Sequence, residues 1–293
     1  MLSISWIIPS DVLGFLSVSN FPNDLDLLDF LDPIVREDYI KCIQQQVQGQ
    51  KLRGNLCLSS CPGKKVRLTG PIRGRAAINR DLDLDFKRMK SFGITMVVCC
   101  LDDKELELLG APWPDYERTA KTHDFKILRL PMLEGGCPKT LSEVHNVVKK
   151  VNVEISQGHH VLAHCRGGVG RAGLFAGCWL LENLLCKSVE RTVSLLRERR
   201  SAKAIETYAQ AEYLIRYAMA LNQRLGRSYT PTTQPVSIHE LQYEAASGSP
   251  SLPFIAKLEH LILMNPTLLQ QQHYYPPVPT HTASAPAELY VPR

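Results

Sequence analysis

Cys165 and Arg171 stand six positions apart in His164-Cys165-Arg166-Gly167-Gly168-Val169-Gly170-Arg171, with three glycines between them. This set suits attack by a thiolate on a phosphate ester. A cysteine attacks as thiolate, a form that a helix N-terminus favours through its unpaired N–H groups and dipole. The same N–H groups bind anions. Glycines let the successive amides of Arg166, Gly167, Gly168, Val169, Gly170 and Arg171 curl towards one point without Cβ obstruction. Arg171 offers a planar fork to two phosphate oxygens and would stabilise their charge in the transition state. A nucleotide-binding loop is the competing reading, but the segment lacks both the Lys-Ser/Thr ending and the length of a P-loop.

The elements around this segment must present it. Val161-Leu162-Ala163 leads in as a strand, and the largely apolar run Gly173 to Leu185 leads out as a buried helix. Leucine and phenylalanine at helical spacing predict a helix over Asp81 to Ser91, ended by Gly93, and Ile94 to Leu101 reads as a strand. Phe125 to Leu130 is a further strand. Thr140-Leu141-Ser142-Glu143 is a capping box opening a helix whose face carries Leu141, Val144, Val147, Val148 and Val151. Gly158 closes it, and His159 to His164 feeds the glycine loop. Two more helices are predicted near Val189 to Arg199 and Ile205 to Leu225. This alternation predicts an α/β fold of three layers, a mostly parallel central sheet flanked by helices, with the loop at a strand's carboxyl end where such sheets bind ligands.

Three regions differ in character. Residues 1–50 read as an acidic extension, partly helical, that either packs on the domain, docks a partner or stays solvated. Residues 51–226 form the predicted domain. From Lys51 to Arg80 eight basic residues occur with no acidic one, a rim that steers phosphorylated substrate or a plain solvated edge; without aromatic residues it does not suit single-stranded nucleic acid. Residues 227–293 hold ten of the nineteen prolines and are expected to be mostly disordered, with Leu252 to Met264 as a short helix. The net charge of +5 points to no partner class. The nine cysteines are odd in number and sit mostly in apolar runs, which fits a reducing cytoplasm or nucleus, and their spacing suggests no metal. The first 35 positions lack the basic residue of a secretory signal, and no apolar run reaches the ~18 residues needed to span a bilayer.

The spacing Cys-x5-Arg is the signature of the cysteine-dependent protein phosphatases. The chain resembles the protein tyrosine/dual-specificity superfamily, and within it the kinase-associated phosphatases, the cyclin-dependent kinase inhibitor 3 family. Leu56-Cys57-Leu58-Ser59-Ser60-Cys61-Pro62-Gly63, Lys90-Ser91-Phe92-Gly93-Ile94, Pro131-Met132-Leu133-Glu134-Gly135-Gly136-Cys137-Pro138 and the segment Ala204 to Leu214 resemble that family in the same order. The resemblance implies the cysteine-phosphatase fold, no cofactor or metal, and hydrolysis of phosphotyrosine or phosphoserine/threonine on proteins through a phosphocysteine intermediate. It also implies a phosphorylated protein partner, a cyclin-dependent kinase among the candidates, and no nucleic-acid or membrane partner. Cys165 would be the nucleophile, Arg171 the phosphate clamp, His164 a support of the nucleophile, and Gln210 a residue that orients the hydrolytic water or merely an exposed helical glutamine.

Two positions depart from the family pattern. The leaving oxygen needs a proton from another loop, and the family supplies it from an aspartate about thirty residues before the cysteine. Here the position is Glu134, with Asp102 and Asp103 in reserve. The family serine or threonine after the arginine, which assists departure of the sulfur, is replaced by Ala172. The changes keep open a binding module that turns over poorly, and the basic stretch keeps open a non-protein phosphate such as an RNA 5′ end. Cys99 and Cys100, on a strand neighbouring that of Cys165, serve as core residues or as a disulfide partner for an oxidised Cys165.

Overall fold

In a computed structural model that describes residues 1–47, 49, 51–71, 74, 76–227 and 249–264, the apolar runs pair into one five-stranded sheet. Its strands are β1 (Ile4–Trp6), β2 (Leu56–Ser60), β5 (Ile94–Cys99), β6 (Lys126–Arg129) and β7 (His160–Cys165), while β3 (Lys65–Val66) and β4 (Ile78–Asn79) form a separate pair. The order is β1-β2-β7-β5-β6; β2, β7, β5 and β6 run parallel, and β1 joins the β2 edge antiparallel. The expected mostly parallel α/β sheet flanked by helices is therefore present. Parallel strands covered on both faces read as continuous apolar runs, and Leu56–Leu58, Val97–Cys99 and Val161–Cys165 are all buried. The central strand is the one that ends in Cys165, with Ser60 and the Cys99/His164 pairing beside it.

The helices are α1 (Ser10–Val18), α2 (Pro33–Val47), α3 (Leu82–Ser91), α4 (Asp103–Leu108), α5 (Trp113–Thr122), α6 (Leu141–Ser156), α7 (Arg171–Glu182), α8 (Val189–Arg199), α9 (Tyr208–Arg224) and α10 (Leu252–Met264). Side-chain oxygens cap most of the N-termini that follow the sheet: Asp81, Asp102, Thr140, Ser188 and Thr207 each accept from an amide three residues on. The sequence reading places no helix between 102 and 124, where α4 and α5 lie. Both are short, and α4 buries only Leu106 and α5 only Tyr116 and Ala120, too few apolar positions to show a period. The last helix of the domain starts at Tyr208 rather than Ile205, because Thr207 is its cap.

The acidic extension is part of the core. Leu2, Ile7, Val12, Phe15, Leu27 and Phe30 are buried. Asp26, itself buried, accepts from the Arg191 guanidinium through Nε and Nη2 at 2.7 Å each and from the Lys187 amide at 2.9 Å. Burial opposes its charge, and those donors outweigh it, holding the carboxyl below the usual range. In the tail, the expected helix Leu252–Met264 is present. Residues 249–264 return to the domain, where Phe254, Ile255, Leu258, Leu261 and Ile262 are buried and α10 packs on α8 and α9. Each such burial contributes about 1.5–3 kcal/mol. Glu259 accepts from the Val189 amide at the α8 N-terminus (3.2 Å), and burial pushes its carboxyl up to about 7. The rest of the disorder expected over 227–293 falls outside the described residues. Among the described residues, no helix is long and apolar enough to cross a membrane.

Candidate active site

The loop from Cys165 to Arg171 joins the carboxyl end of β7 to the N-terminus of α7. In contrast to its capped neighbours, α7 begins at Gly170 with no side-chain cap, which leaves its first amides available to an anion. Cys165 is 4% exposed, and its Sγ accepts the Gly168 N–H at 3.2 Å. The loop carbonyls are drawn outward. Arg200 donates to Gly168 O (2.9 Å) and Gly167 O (2.8 Å), and Lys64 Nζ donates to Arg166 O (3.0 Å). A planar trans peptide sets each carbonyl opposite the following N–H. The Gly167, Gly168 and Val169 amides therefore face the other way, into the loop. Arg200 also donates to Ser5 Oγ (3.0 Å), so the N-terminal strand helps fix the loop from behind.

Nothing local in the sequence marks this role for Arg200, and Lys64 and Arg80, read there as a steering rim or a solvated edge, are half-buried or buried supports of the loop. Burial, then the charge of Arg166, lowers the Lys64 ammonium from its ordinary range. Arg80 pairs with Asp85 at 2.9 Å and donates to Ser60 Oγ at 2.9 Å. Arg73 and Arg75 lie outside the described residues.

Arg171 is 3% exposed. Its Nη1 and Nη2 donate to the two Glu105 carboxylate oxygens at 2.6 and 2.9 Å, and Nη1 also donates to Met132 O at 2.8 Å. Burial works against the guanidinium charge, and the Glu105 hydrogen bonds overcome it, so its pKa is raised further. A guanidinium has five N–H groups, and three are used here. Nε–H and one Nη2–H, a side-on fork, have no acceptor among the described residues. Glu105 was not singled out from the sequence, since a lone glutamate in a six-residue charged helix carries no signal. His164 is fully buried, with Nε2 2.8 Å from the Tyr116 hydroxyl. Burial pushes its imidazole down to about 3, so it is neutral near pH 7.

Glu134 rides on a loop tied on both sides of the site. On one side Met132 O accepts from Arg171, and the Met132 amide bonds Cys100 O (3.2 Å). On the other, Gly135 O accepts from the Thr207 hydroxyl (2.8 Å) and Gly136 O from Gln210 Nε2 (3.3 Å). Glu134 itself is exposed, and its Oε2 lies 3.4 Å from Arg166 Nη1. An exposed pair of this kind adds at most ~1 kcal/mol, but it brings the carboxyl to the loop mouth. The reserve candidates are engaged elsewhere: Asp102 caps α4 through the Glu105 amide (2.8 Å), and Asp103 pairs with Arg129 (2.7 Å).

Gln210, expected as an exposed glutamine in one reading, is fully buried. Its Oε1 accepts the Glu206 amide (2.9 Å) while its Nε2 holds the acid loop, so it cross-links the two. Ala172 is buried and brings no hydroxyl to the sulfur. Glu206 is a carboxylate that sequence reasoning quoted within a motif without assigning. Its Oε2 lies against Gly170, 2.0 Å from where a Cβ would stand on that residue.

The eight described cysteines are free. Burial, then the charge of Cys165, raises the Cys100 thiol well above its ordinary range; Cys61 is raised in the same way by burial, with Cys99 and Cys165 contributing. Both therefore stay protonated and inert as nucleophiles.

The chain is similar to known proteins over part of its length. Residues 82–219 match the profile of the family described as dual specificity phosphatase, catalytic domain. The chain is similar to cyclin-dependent kinase inhibitor 3 of Sus scrofa (27% identity over 139 residues) and of Homo sapiens (28% over 140 residues). Each match covers 47% of this chain and 63% of the relative's length. Among solved structures it is similar to kinase associated phosphatase with its catalytic site cysteine substituted by serine. The TM-score is 0.49 at 24% identity, covering 60% of this chain and 89% of that one.

Proposed function

We propose that the chain, whose residues 82–219 match the dual specificity phosphatase catalytic domain, is a cysteine-dependent phosphatase that hydrolyses phosphotyrosine or phosphoserine/threonine on proteins through a phosphocysteine intermediate. The observation that carries this is the Gly168 amide on the Cys165 sulfur, in a loop that ends at the buried Arg171 and the uncapped N-terminus of α7. In the first step Cys165 Sγ attacks phosphorus, the bond to the leaving oxygen breaks, and Glu134 supplies the proton that oxygen needs. In the second step water attacks the same phosphorus, its proton passes to a site carboxylate, and the S–P bond returns its electrons to the sulfur. Throughout, the amides of Arg166 to Arg171 and the Arg171 fork hold the phosphoryl oxygens.

The name printed for the similar curated proteins makes a phosphorylated cyclin-dependent kinase the first partner to test. The decisive comparison sets the parent against Cys165→Ser on an aryl phosphate, a phosphopeptide panel and a 5′-triphosphate RNA. Release of phosphate from phosphopeptides that Cys165→Ser abolishes supports the proposal. Release from RNA alone would redirect it, and no Cys165-dependent release from any substrate would leave a phosphoprotein-binding module.

Two side chains set the rate pattern. Glu134→Gln is expected to slow phosphopeptide turnover by about a hundredfold, the ordinary contribution of a positioned acid, and to spare aryl esters whose leaving groups need no proton. Equal losses on both substrates would remove Glu134 from the role. Ala172 offers the departing sulfur no hydroxyl, so the phosphoenzyme should accumulate and Ala172→Ser should speed steady-state turnover. Pre-steady-state release with no burst, unchanged in Ala172→Ser, would refute this.

A further inference from the structure

Glu206 stands just before α9, outside the roles assigned above, yet it touches the phosphate loop. A Cβ built on Gly170 would lie 2.0 Å from Glu206 Oε2 and 3.2 Å from Gln210 Nε2, so the carboxylate rests directly on that glycine. Any side chain at 170 would collide with it. The Gly170 amide is one of the donors assigned to the phosphoryl oxygens, so this carboxylate borders the donor set. The backbone of Glu206 is fixed by its amide bond to Gln210 Oε1 (2.9 Å).

The charged groups facing Glu206 come from three elements: Glu134 on the acid loop, Arg171 on α7 and Lys203 on its own connection, with the neutral Gln210 amide from α9. Burial, then the Glu134 charge, raises its carboxyl above the ordinary range against the two cations. An anionic carboxylate and a phosphoryl dianion on adjoining donors repel, as paired carboxylates do when they share one proton.

We propose that Glu206 is a specificity-determining residue of the phosphate loop: its carboxylate lies against Gly170 in the free protein, and an oxyanion takes the loop amides beside it as Glu206 gains a proton. The proposal rests on reading the 166–171 loop as a phosphate cradle. No bond other than the O–H is made or broken in this step; the proton comes from solvent or from a monoanionic phosphoryl group. The protonated carboxyl then donates to the oxyanion, so the site selects a phosphoryl group and a carboxyl that together carry one proton.

Inorganic sulfate is the probe, because it stays a dianion across the working range and its binding reports protein protons alone. In full-length Cys165→Ser protein, which removes the thiol from the titration, calorimetry in two buffers of different ionisation enthalpy should show proton uptake on sulfate binding. Affinity should fall as pH rises through the Glu206 ionisation. Adding Glu206→Gln should abolish the uptake, flatten the pH profile and tighten sulfate binding at the alkaline end by about tenfold or more. Glu134→Gln should retain the uptake.

Sulfate binding without proton uptake in the Cys165→Ser protein would overturn the proposal, as would uptake that disappears with Glu134 and persists in Glu206→Gln. The first of these needs no further variant to fold. Proton-linked sulfate binding in a protein with no Cys165-dependent turnover would instead sink the phosphatase reading and leave Glu206 where it is placed here.

Discussion

Arg171→Lys is expected to lower kcat on every phosphate ester by about a thousandfold, the scale of losing a preorganised oxyanion donor. The guanidinium here does two things at once. Two of its faces grip Glu105 and Met132 O, and the remaining Nε–H and Nη2–H point as a fork with no acceptor among the described residues. A lysine ammonium can satisfy one Glu105 oxygen or one phosphoryl oxygen, not a parallel pair of each. It also leaves Met132 O unpaired, and with it one tether of the loop that carries Glu134. The loss should therefore appear in kcat for aryl phosphates as well as phosphopeptides, which separates it from the leaving-group-dependent loss in Glu134→Gln. Glu105→Gln, which keeps the shape and removes the charge, should show a smaller loss of the same pattern. A tenfold or lesser effect in Arg171→Lys would mean that the guanidinium serves the fold alone.

Gly168→Ala is the second large effect. Gly168 has φ +73°, in the left-handed region, and a Cβ there would sit 2.1 Å from Ser59 O and 2.9 Å from Arg200 Nη2. Ser59 O belongs to β2, beside the central strand, and cannot yield without breaking the sheet edge under the loop. The loop must move instead. It would carry away the Gly168 amide from the Cys165 sulfur and the Gly167 and Gly168 carbonyls from Arg200. Misplacement of about an ångström costs on the order of a hundredfold in rate, and the strained backbone costs about 1–3 kcal/mol in stability. We expect both in kinetics and a thermal melt, with oxyanion binding weakened in parallel. Near-parental activity with an unchanged melt would contradict the loop geometry described above.

The phosphate loop was legible because its chemistry is contiguous: nucleophile, amides and clamp occupy seven residues, and the flanking runs announce strand and helix. The sheet was legible for the same reason, since buried parallel strands leave unbroken apolar stretches. What escaped is what the fold assembles from a distance. Glu105 meets Arg171 across 66 residues, and Arg200 meets Gly168 across 32, with no local pattern in either partner. The acidic extension left packing, docking and a solvated arm equally open because its apolar residues follow no clear period, and what decides it is Asp26 meeting Arg191, 165 residues away. Gln210 was noticed and its burial was not, because a single glutamine on a helix gives no sign of which way it faces. Glu206 lay inside a quoted motif but signals a site only once Gly170 is seen beneath it. The helix Leu252–Met264 was visible as a segment, while its docking on α8 and α9 depends on surfaces that exist only after folding.

The proposed reaction turns on a covalent phosphate on Cys165. Rapid mixing with a radiophosphate-labelled phosphopeptide, quenching in acid and mapping the label by digestion tests it most directly. Label is expected on the peptide containing Cys165, formed faster than steady-state turnover, accumulating because Ala172 gives the sulfur no hydroxyl, and absent in Cys165→Ser. Phosphate release at the same rate with no protein-bound label, or label that persists in Cys165→Ser, would contradict it.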